Sequence, residues 1–436
     1  MKYTYQRGFL WLLIYTLLSL TLLSIAMSGT IPEHRSFWIE LGVAFGFIGL
    51  AMFGLQFLFT GRFKKIAPTF GMDNIIQFHR EVGIVAFIFV LAHPVTLLLA
   101  NPDFLIYFDP NANAMRAIAL SFVSIAIILL ISTSLWRVSF GLDYEKWRLI
   151  HGLLALSIVF IGIVHSIQVS HYLEPLWKKA SIAILMGVSM YLVFHTRLVR
   201  PWKNRKKPYK IIEVKQERGK CWTIVLEPIG HKKMRYVCGQ FTWITINSTP
   251  FSLQQHPFSI ASSVSDQTIS LTTKELGDFT SSWKNIQPGS KAYLEGPFGS
   301  FTPEVNKHLF LVMGGIGITP AMSMLRTMRD TKDPRKVILI YGNNNWEDVT
   351  FREELEEISK SINLQLIHLL TQAPKDWKGE TGKVDQAFLK KYLPERPDDY
   401  MYFICGPKPL MDIAEISFRN LGISWKNIYS ERFEIV

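Results

Sequence analysis

The stretches QFHREVGIVAFIFVLAHPVTLLLA (77–100) and LIHGLLALSIVFIGIVHSIQV (149–169) decide the architecture of the first half of the chain. Each is apolar and long enough to cross a bilayer, which takes about 20 helical residues. Each also carries two histidines that are 14 residues apart, a spacing that brings both onto one helix face at different depths. These four residues are His79, His93, His151 and His165.

The two histidine-bearing spans run in the same direction, because a single apolar span separates them. His79 is therefore expected level with His151, and His93 level with His165. Two opposed imidazoles at each of two depths are the axial ligands that two stacked b-type haems require. The alternative is that each histidine is a polar residue hydrogen-bonded between helices. The repeated spacing favours metal ligation, since ionisable residues inside a membrane are costly and usually functional.

The rest of the first 200 residues is also apolar. This part carries 24 charged residues and the remaining 236 carry 58, which excludes a single soluble globule and a disordered chain. The first apolar run is expected to be a membrane anchor, since it is too long for an ordinary signal peptide. The apolar runs predict six membrane-spanning helices near residues 8–28, 36–60, 76–100, 114–135, 149–169 and 177–198.

The distribution of Lys and Arg predicts the orientation of these spans. The segments placed inside carry Lys2, Arg7, Arg62, Lys64, Lys65, Arg137, Lys146 and Arg148, followed by seven basic residues in 197–210. The segments placed outside carry only Arg35, Arg116, Lys178 and Lys179. Both termini are therefore expected in the cytoplasm, in a plasma or inner membrane. The basic run after the last span is expected to contact anionic lipid, not nucleic acid.

The second half of the chain predicts two soluble domains. Short alternating segments from about residue 208 indicate a small antiparallel β-barrel, and strand–helix alternation from about 307 indicates a parallel α/β sheet. Three cysteines, all in this half, are too few for a disulfide framework and suggest a reducing compartment. The predicted fold is thus an all-α six-helix transmembrane haem bundle over 1–200, an antiparallel β-barrel over 207–304 and an α/β domain over 305–436. The part from residue 208 is expected to fold alone.

GGIGITP (314–320) is a glycine-rich turn between a predicted strand and a predicted helix. Such a turn allows backbone N–H groups to approach a phosphate at a helix N-terminus. The spacing does not match G-x-G-x-x-G, so the turn alone is a weak indication of a dinucleotide. Gly296 and Gly299 in GPFG are equally consistent with ordinary turn glycines.

Taken in order, these features resemble the NADPH oxidase and ferric reductase superfamily, whose members join a six-helix, two-haem membrane domain to a ferredoxin-reductase-like module. The resemblance covers nearly the whole chain. Besides the paired histidines, it is carried by HPFS (256–259), GDFT (277–280), GPFG (296–299), GGIGITP (314–320) and CGP (405–407), in family order.

The resemblance implies an FAD site. His256 would face the FAD pyrophosphate, Phe258 would lie along the ring system and Ser259 would hydrogen-bond near flavin N5. The turn with Gly277 and Thr280 would supply the second pyrophosphate contact. The flavin set expected from the resemblance also includes Pro257, Lys274, Gly296 and Gly299.

The resemblance also implies a site for NADPH or NADH. The phosphate turn would comprise Gly314, Gly315, Gly317, Thr319 and Pro320. Cys405, Gly406 and Pro407 would lie beside the nicotinamide, and Phe433 would cover the flavin. Ser259, Cys405 and Phe433 are the expected catalytic residues. Glu434, Ile435 and Val436 follow Phe433 where many members stop, so a packing role for this aromatic is the alternative.

The implied reaction is electron transfer from cytoplasmic NAD(P)H through FAD and two haems to an extracytoplasmic acceptor. O2 is the expected acceptor. With both axial positions of the outer haem filled, it would be reduced by one electron to superoxide. A ferric chelate is the runner-up and an extracytoplasmic partner protein is a third possibility; the oligomeric state is not predicted.

The loop after the second strand of the α/β domain bears on the choice between NADH and NADPH. A basic residue there usually binds the 2′-phosphate of NADPH, but here Glu347 and Asp348 precede the first basic residue, Arg352. The sequence therefore predicts little preference for NADPH.

Overall fold

The computed structural model describes residues 2–61 and 72–432, with side chains from 8–61 and 75–432. The chain forms two compact units that adjoin in sequence at Arg200 and Pro201. Phe433 and the basic residues Arg62, Lys64 and Lys65 lie outside the described residues. Within these limits, the predicted fold class is confirmed.

The first unit contains six long helices, as predicted. They are α1 (Lys2–Ala26), α2 (Phe37–Thr60), α3 (Met72–Ala100), α4 (Pro110–Leu135), α5 (Tyr144–Val169) and α6 (Leu176–Phe194). Each contains a stretch long and apolar enough to span a membrane. Helices of this length and composition suit an integral membrane protein.

Helix α2 lies at the centre of this bundle. Of its apolar window 44% is buried, against 11–17% in the other five helices. Its buried side chains, Leu50, Phe53 and Phe57 among them, belong to the same core as Ile127 of α4 and Val159 of α5. The outward faces of the other helices are rich in exposed large apolar residues, which suits contact with lipid.

Local sequence explains where α4 begins. Pro110 occupies its first turn, where the missing N–H costs nothing, and the Asp109 carboxylate accepts a hydrogen bond of 2.9 Å from the Asn111 N–H. The backbone is not helical at Asn113 (φ −164°, ψ 99°), and the Asn113 side chain accepts a hydrogen bond of 3.0 Å from the Arg116 N–H. The short first turn is therefore separated by a kink from the long continuous helix, which begins at residue 114, where the span is predicted.

The second unit begins with a short helix, α7 (Arg200–Asn204), and a six-stranded antiparallel sheet. Its strands are β1 (Pro208–Glu217), β2 (Cys221–Pro228), β3 (Phe241–Ile246), β4 (His256–Ser259), β5 (Ile269–Lys274) and β6 (Lys291–Phe298). The spatial order is β4-β3-β6-β1-β2-β5. A four-residue helix, α8 (Asp278–Ser281), follows β5. All six strands correspond to the predicted alternating segments.

The remainder forms a parallel sheet of order β10-β9-β8-β7-β11-β12. The strands are β7 (His308–Gly314), β8 (Val337–Asn343), β9 (Leu364–Leu370), β10 (Glu380–Thr381), β11 (Tyr400–Cys405) and β12 (Ile428–Ser430). The helices are α9 (Thr319–Thr331), α10 (Arg352–Ser361), α11 (Gln386–Lys391) and α12 (Lys408–Asn420). Residues of β7 pack alternately into two cores, Leu309 and Leu311 on one side and Phe310 and Val312 on the other. The sheet is therefore covered on both faces, as parallel sheets require.

Candidate functional site

The four membrane histidines form two pairs of matching geometry. The ring centres of His79 and His151 are 6.3 Å apart, and those of His93 and His165 are also 6.3 Å apart. The interplanar angles are 69° and 68°. A metal ion held between two imidazoles by bonds of about 2 Å places the ring centres roughly 6 Å apart. Each pair therefore has the spacing that would let both of its imidazoles hold one iron atom, and haem ligation by these histidines remains a prediction.

Hydrogen bonds at the second ring nitrogen prepare two of these imidazoles for ligation. The Nδ1 atom of His93 lies 2.8 Å from the carbonyl oxygen of Gly42, which can only accept, so Nδ1 carries the proton. The Nδ1 atom of His151 lies 3.1 Å from the Ser134 hydroxyl. In both rings Nε2 then has its lone pair free for iron.

Glycines at the helix contacts make room for these rings. A Cβ at Gly46 of α2 would lie 2.8 Å from Nδ1 of His93, closer than side-chain carbons are found. Near the other pair, Gly83 follows His79 by one helical turn, and a Cβ there would contact nothing within 4 Å in the described part of the chain. Glycine thus permits close helix packing at one pair and leaves open space beside the other.

A cavity of about 240 Å³ lies between His93 and His165. Most of its lining is apolar, including Val43, Phe47, Leu50, Val90, Leu97, Leu120 and Ile158. The polar residues on its wall include Arg35, Tyr107 and His171. A mainly apolar cavity lined by two imidazoles, with one cation, Arg35, on its wall, suits the apolar face and an acidic group of a haem.

The expected flavin residues of HPFS lie on β4, at the edge of the antiparallel sheet. The Ser259 hydroxyl is buried and has no hydrogen-bond partner among the described residues. A buried polar atom without a partner is rare, and a ligand atom is one common explanation. Ser259 therefore fits its expected role beside a flavin nitrogen.

The aromatic surroundings of HPFS include a residue that the sequence analysis missed. The ring of Phe279 stacks on His256 at 4.0 Å between centres and lies parallel to Phe258 at 6.1 Å. Trp283, four residues after Phe279 in the same stretch, also contacts Phe258, with 5.0 Å between ring centres. Phe279 lies inside GDFT, which was treated only as a phosphate turn, so the motif itself was the available signal.

The GDFT turn is organised by its threonine. Thr280 Oγ1 accepts hydrogen bonds from the N–H groups of Leu276 and Gly277, at 3.0 and 3.1 Å. The same hydroxyl donates a hydrogen bond of 3.1 Å to the Gly277 carbonyl oxygen. These bonds hold the turn at the start of α8, after the expected flavin residue Lys274 at the end of β5. Thr280 therefore shapes the turn through its own hydroxyl.

Gly296 and Gly299 both have packing reasons to be glycine. A Cβ at Gly296 would lie 3.0 Å from Thr242 Oγ1. Gly299 has φ +98°, in the region that side chains rarely adopt, and a Cβ there would approach the Phe241 ring to 3.0 Å. Pro257 lies between His256 and Phe258 and pairs with Trp243 of β3. A flavin role for these three residues remains a prediction.

The two motifs expected at the dinucleotide meet at one edge of the parallel sheet. A Cβ at Gly317 would lie 2.4 Å from the carbonyl oxygen of Cys405, and a Cβ at Gly314 would lie 2.8 Å from Pro407. A Cβ at Gly406 would lie 3.0 Å from Gly314. The glycines therefore allow two backbone turns to pack directly on each other.

This meeting point is the topological switch point of the sheet. From β7 the chain continues to β8 on one side, whereas β11 pairs with β7 on the other. Ligands of open α/β sheets bind outside the carboxyl ends of the strands at such a point. Helix α9 begins there at Thr319 and Pro320, after the turn that contains Gly315 at φ +51°. The Thr319 N–H donates to the Ile316 carbonyl and Pro320 has no N–H, so it is the backbone of the preceding glycine turn that can approach a phosphate.

Cys405 is fully buried beneath this turn. Burial, with a smaller contribution from the Glu431 carboxylate, raises the pKa of its thiol well above the ordinary range. The residue is therefore a neutral thiol at physiological pH. Its expected partner in catalysis, Phe433, lies outside the described residues.

Three family descriptions match consecutive parts of the chain. Residues 45–162 match "Ferric reductase like transmembrane component", residues 208–310 match an FAD-binding domain and residues 311–415 match an oxidoreductase NAD-binding domain. The chain has the NADPH oxidase/ferric reductase-like architecture, fused to a ferredoxin-reductase module. The first match includes His79, His93 and His151 and ends before His165.

Relatives of the soluble part are reductases. An NADH-cytochrome b5 reductase 1 of Lodderomyces elongisporus is 31% identical over 38% of this chain and 57% of its own length. An NADH-cytochrome b5 reductase 2 of Mus musculus is 32% identical over 32% of this chain and 58% of its own length. The chain thus spans less than two thirds of these relatives. The FAD/NAD-binding domain of a nitric oxide dioxygenase from Vibrio cholerae aligns with 52% of this chain and 98% of its own, at 20% identity and a TM-score of 0.47.

The flavin and dinucleotide domains, with these relatives, support an NAD(P)H oxidoreductase. The predicted enzyme class is confirmed at this level. The haems, the acceptor and the individual site residues belong to the proposal that follows.

Proposed function

We propose that this protein transfers electrons across a membrane, from cytoplasmic NADPH or NADH through FAD and two b-type haems to an acceptor on the other side. Bound FAD would take an electron pair as hydride, and each haem iron would carry one electron at a time. The observation that carries the proposal is the matched geometry of the two histidine pairs, each with 6.3 Å between ring centres.

The chain's own residues have distinct tasks in this proposal. His79 and His151 hold the inner haem, and His93 and His165 hold the outer one. The Gly42 carbonyl fixes the tautomer of His93 through the 2.8 Å contact at Nδ1. The apolar cavity wall keeps water from the outer site. The excess of basic residues in the segments placed inside supports a cytoplasmic position for both termini.

In the soluble unit, the residues serve binding and orientation. The unpartnered Ser259 hydroxyl is placed to hydrogen-bond flavin near N5, and His256 is assigned to the pyrophosphate. Gly314, Gly315 and Gly317 allow the dinucleotide phosphates to approach the start of α9. Cys405, neutral and buried, lines the nicotinamide position without acting as a nucleophile.

O2 is the proposed acceptor, with superoxide as the product. If His93 and His165 both hold the outer haem, they would leave no position on the iron for O2, which would then receive one electron without binding to it. The predominantly apolar residues around the cavity assigned to the outer haem suit a small uncharged acceptor that approaches the edge of that haem.

A ferric chelate is the second candidate. It is favoured by the match of residues 45–162 to a ferric reductase-like component. Electron transfer without ligation tolerates different acceptors, so the same outer site could serve both.

The acceptor is tested with protein purified in detergent and supplied with NADH or NADPH. Reduction of added cytochrome c should proceed in air and should be suppressed by superoxide dismutase. If dinucleotide oxidation stalls in air but proceeds with ferric chelates under argon, the ferric reductase function replaces the oxidase function. Separate expression of the chain from residue 208 tests the flavin assignment, since this part should bind FAD and reduce an artificial dye.

A further inference from the structure

Ser134 contacts one of the proposed haem ligands from a neighbouring helix. It lies in the last turn of α4, and its Oγ is 3.1 Å from Nδ1 of His151 in α5. The same Oγ is 2.5 Å from the carbonyl oxygen of Leu130. A hydroxyl has one proton and a carbonyl can only accept, so the Ser134 proton goes to Leu130. Ser134 must then accept the Nδ1–H of His151.

This contact differs from the ordinary behaviour of hydroxyls in the bundle. Serine and threonine in membrane helices commonly donate to the carbonyl four residues earlier. Ser124 and Thr133 of α4 do so, at 2.9 and 2.7 Å. Ser134 makes this bond as well, but its remaining lone pair also meets an imidazole on another helix.

The other histidines have different neighbours at the same atom. Nδ1 of His93 faces a backbone carbonyl, that of Gly42, which no side-chain substitution removes. Nδ1 of His79 is buried without a hydrogen-bond partner in the described part of the chain. In the inner pair, His151 has a side-chain partner at Nδ1, and that partner is Ser134.

We propose that Ser134 is a positioning residue that sets the tautomer, the ring orientation and the electron donation of His151. The inference rests on the proposed function, because it takes His151 as an inner haem ligand. A hydrogen bond accepted from the non-ligating nitrogen makes an imidazole a stronger donor to its metal. Stronger donation stabilises ferric over ferrous iron, so Ser134 lowers the midpoint potential of the inner haem.

The test compares single variants in the full-length protein carrying His93→Ala, which leaves the inner haem as the one to be titrated. Spectroelectrochemical titration is the readout. Ser134→Ala should shift the oxidised-to-reduced ratio at a fixed potential toward reduced haem by up to about tenfold, which corresponds to about 59 mV for one electron. Ser134→Thr, which keeps the hydroxyl, should restore the parent potential. Ser134→Cys, with a weaker acceptor, should fall between them.

Thr133→Val is the matched control, since it removes a neighbouring hydroxyl whose bonds go to Leu129 and Leu130. It should leave the potential at the parent value. Loss of inner haem in Ser134→Ala with retention in Ser134→Thr would also support the assignment. Equal potentials in Ser134→Ala and Thr133→Val would overturn it while leaving the haem ligands in place. If His151→Ala keeps its inner haem, the proposed function itself fails at this residue.

Discussion

The candidate site of the membrane unit is formed by side chains, whereas that of the soluble unit is formed mainly by backbone. In the membrane unit, four imidazoles project from two helices, and the matching 14-residue spacings place them in two pairs at different depths. In the soluble unit, the dinucleotide site consists mainly of backbone, where Gly317 and Cys405 pack closer than any side chain would allow. The comparison teaches that helix-borne side chains can be located from a sequence, whereas backbone contacts between distant turns cannot.

The largest expected effect concerns the helix-borne side chains. His93→Ala or His165→Ala should remove one haem and leave the inner haem reducible by dinucleotide. His79→Ala or His151→Ala should remove the inner haem and abolish transfer outward, because the outer haem loses its donor. Haem content and difference spectra of purified variants measure this. Unchanged haem content after one substitution in each pair would contradict the ligand assignment.

The backbone site gives the next largest effect. Gly317→Ala places a Cβ 2.4 Å from the Cys405 carbonyl oxygen, so the phosphate turn must move. A displacement on the order of 1 Å can cost about 100-fold in rate, and kcat/KM for the dinucleotide should fall by about that factor. FAD content should be retained, since the change lies in the other sheet. A variant with the parent kcat/KM would show that this close approach is not needed.

A glycine contact in the membrane unit should have a smaller effect. Gly46→Ala forces the His93 ring away from a Cβ at 2.8 Å and should lower outer haem occupancy by roughly tenfold, the equivalent of about 1.4 kcal/mol. Gly187→Ala is the matched control on an exposed helix face, where a Cβ contacts nothing within 4 Å in the described chain. Haem content measures both variants. Equal haem occupancy in the two variants would show that α2 can shift to accommodate the added methyl group without displacing His93.

Ser259→Ala tests a buried hydroxyl of the soluble unit that has no hydrogen-bond partner among the described residues. One lost hydrogen bond to flavin corresponds to about 1 kcal/mol, so FAD affinity should fall by roughly fivefold. Fluorescence titration of the full-length protein measures it. Ser282→Ala is the control, because the Ser282 hydroxyl already donates to the Phe279 carbonyl at 2.7 Å. An unaltered affinity in Ser259→Ala would remove Ser259 from the flavin site.

The smallest effect is expected for dinucleotide choice. Arg352 is already engaged, lying 4.5 Å over Trp346 and bonded to Glu353 at 3.0 Å, so it is not free for a 2′-phosphate. The kcat/KM values for NADH and NADPH should agree within about tenfold, or 1.4 kcal/mol. Arg352→Gln should leave their ratio unchanged. A hundredfold preference for NADPH would contradict this assignment.

What could be predicted from the sequence differs between the two units in the same way, since features set by spacing along a helix or strand were predictable and contacts between distant segments were not. The four histidines, six helices and the β segments from residue 208 follow from spacing and hydropathy. Phe279 escaped notice because stacking on His256 requires two segments far apart in sequence to meet. Ser134 could not be singled out, because many membrane-helix serines only bond their own helix.

The two histidine pairs are proposed to hold two haems that receive electrons from the soluble unit. The most direct test measures the haem-to-polypeptide ratio of the detergent-purified protein and then the haem spectrum after anaerobic addition of NADH or NADPH. We expect two b-type haems per chain, both becoming reduced when FAD is present and reoxidised when air is admitted. One haem or none per chain, or haem that stays oxidised with dinucleotide and FAD present, would contradict it.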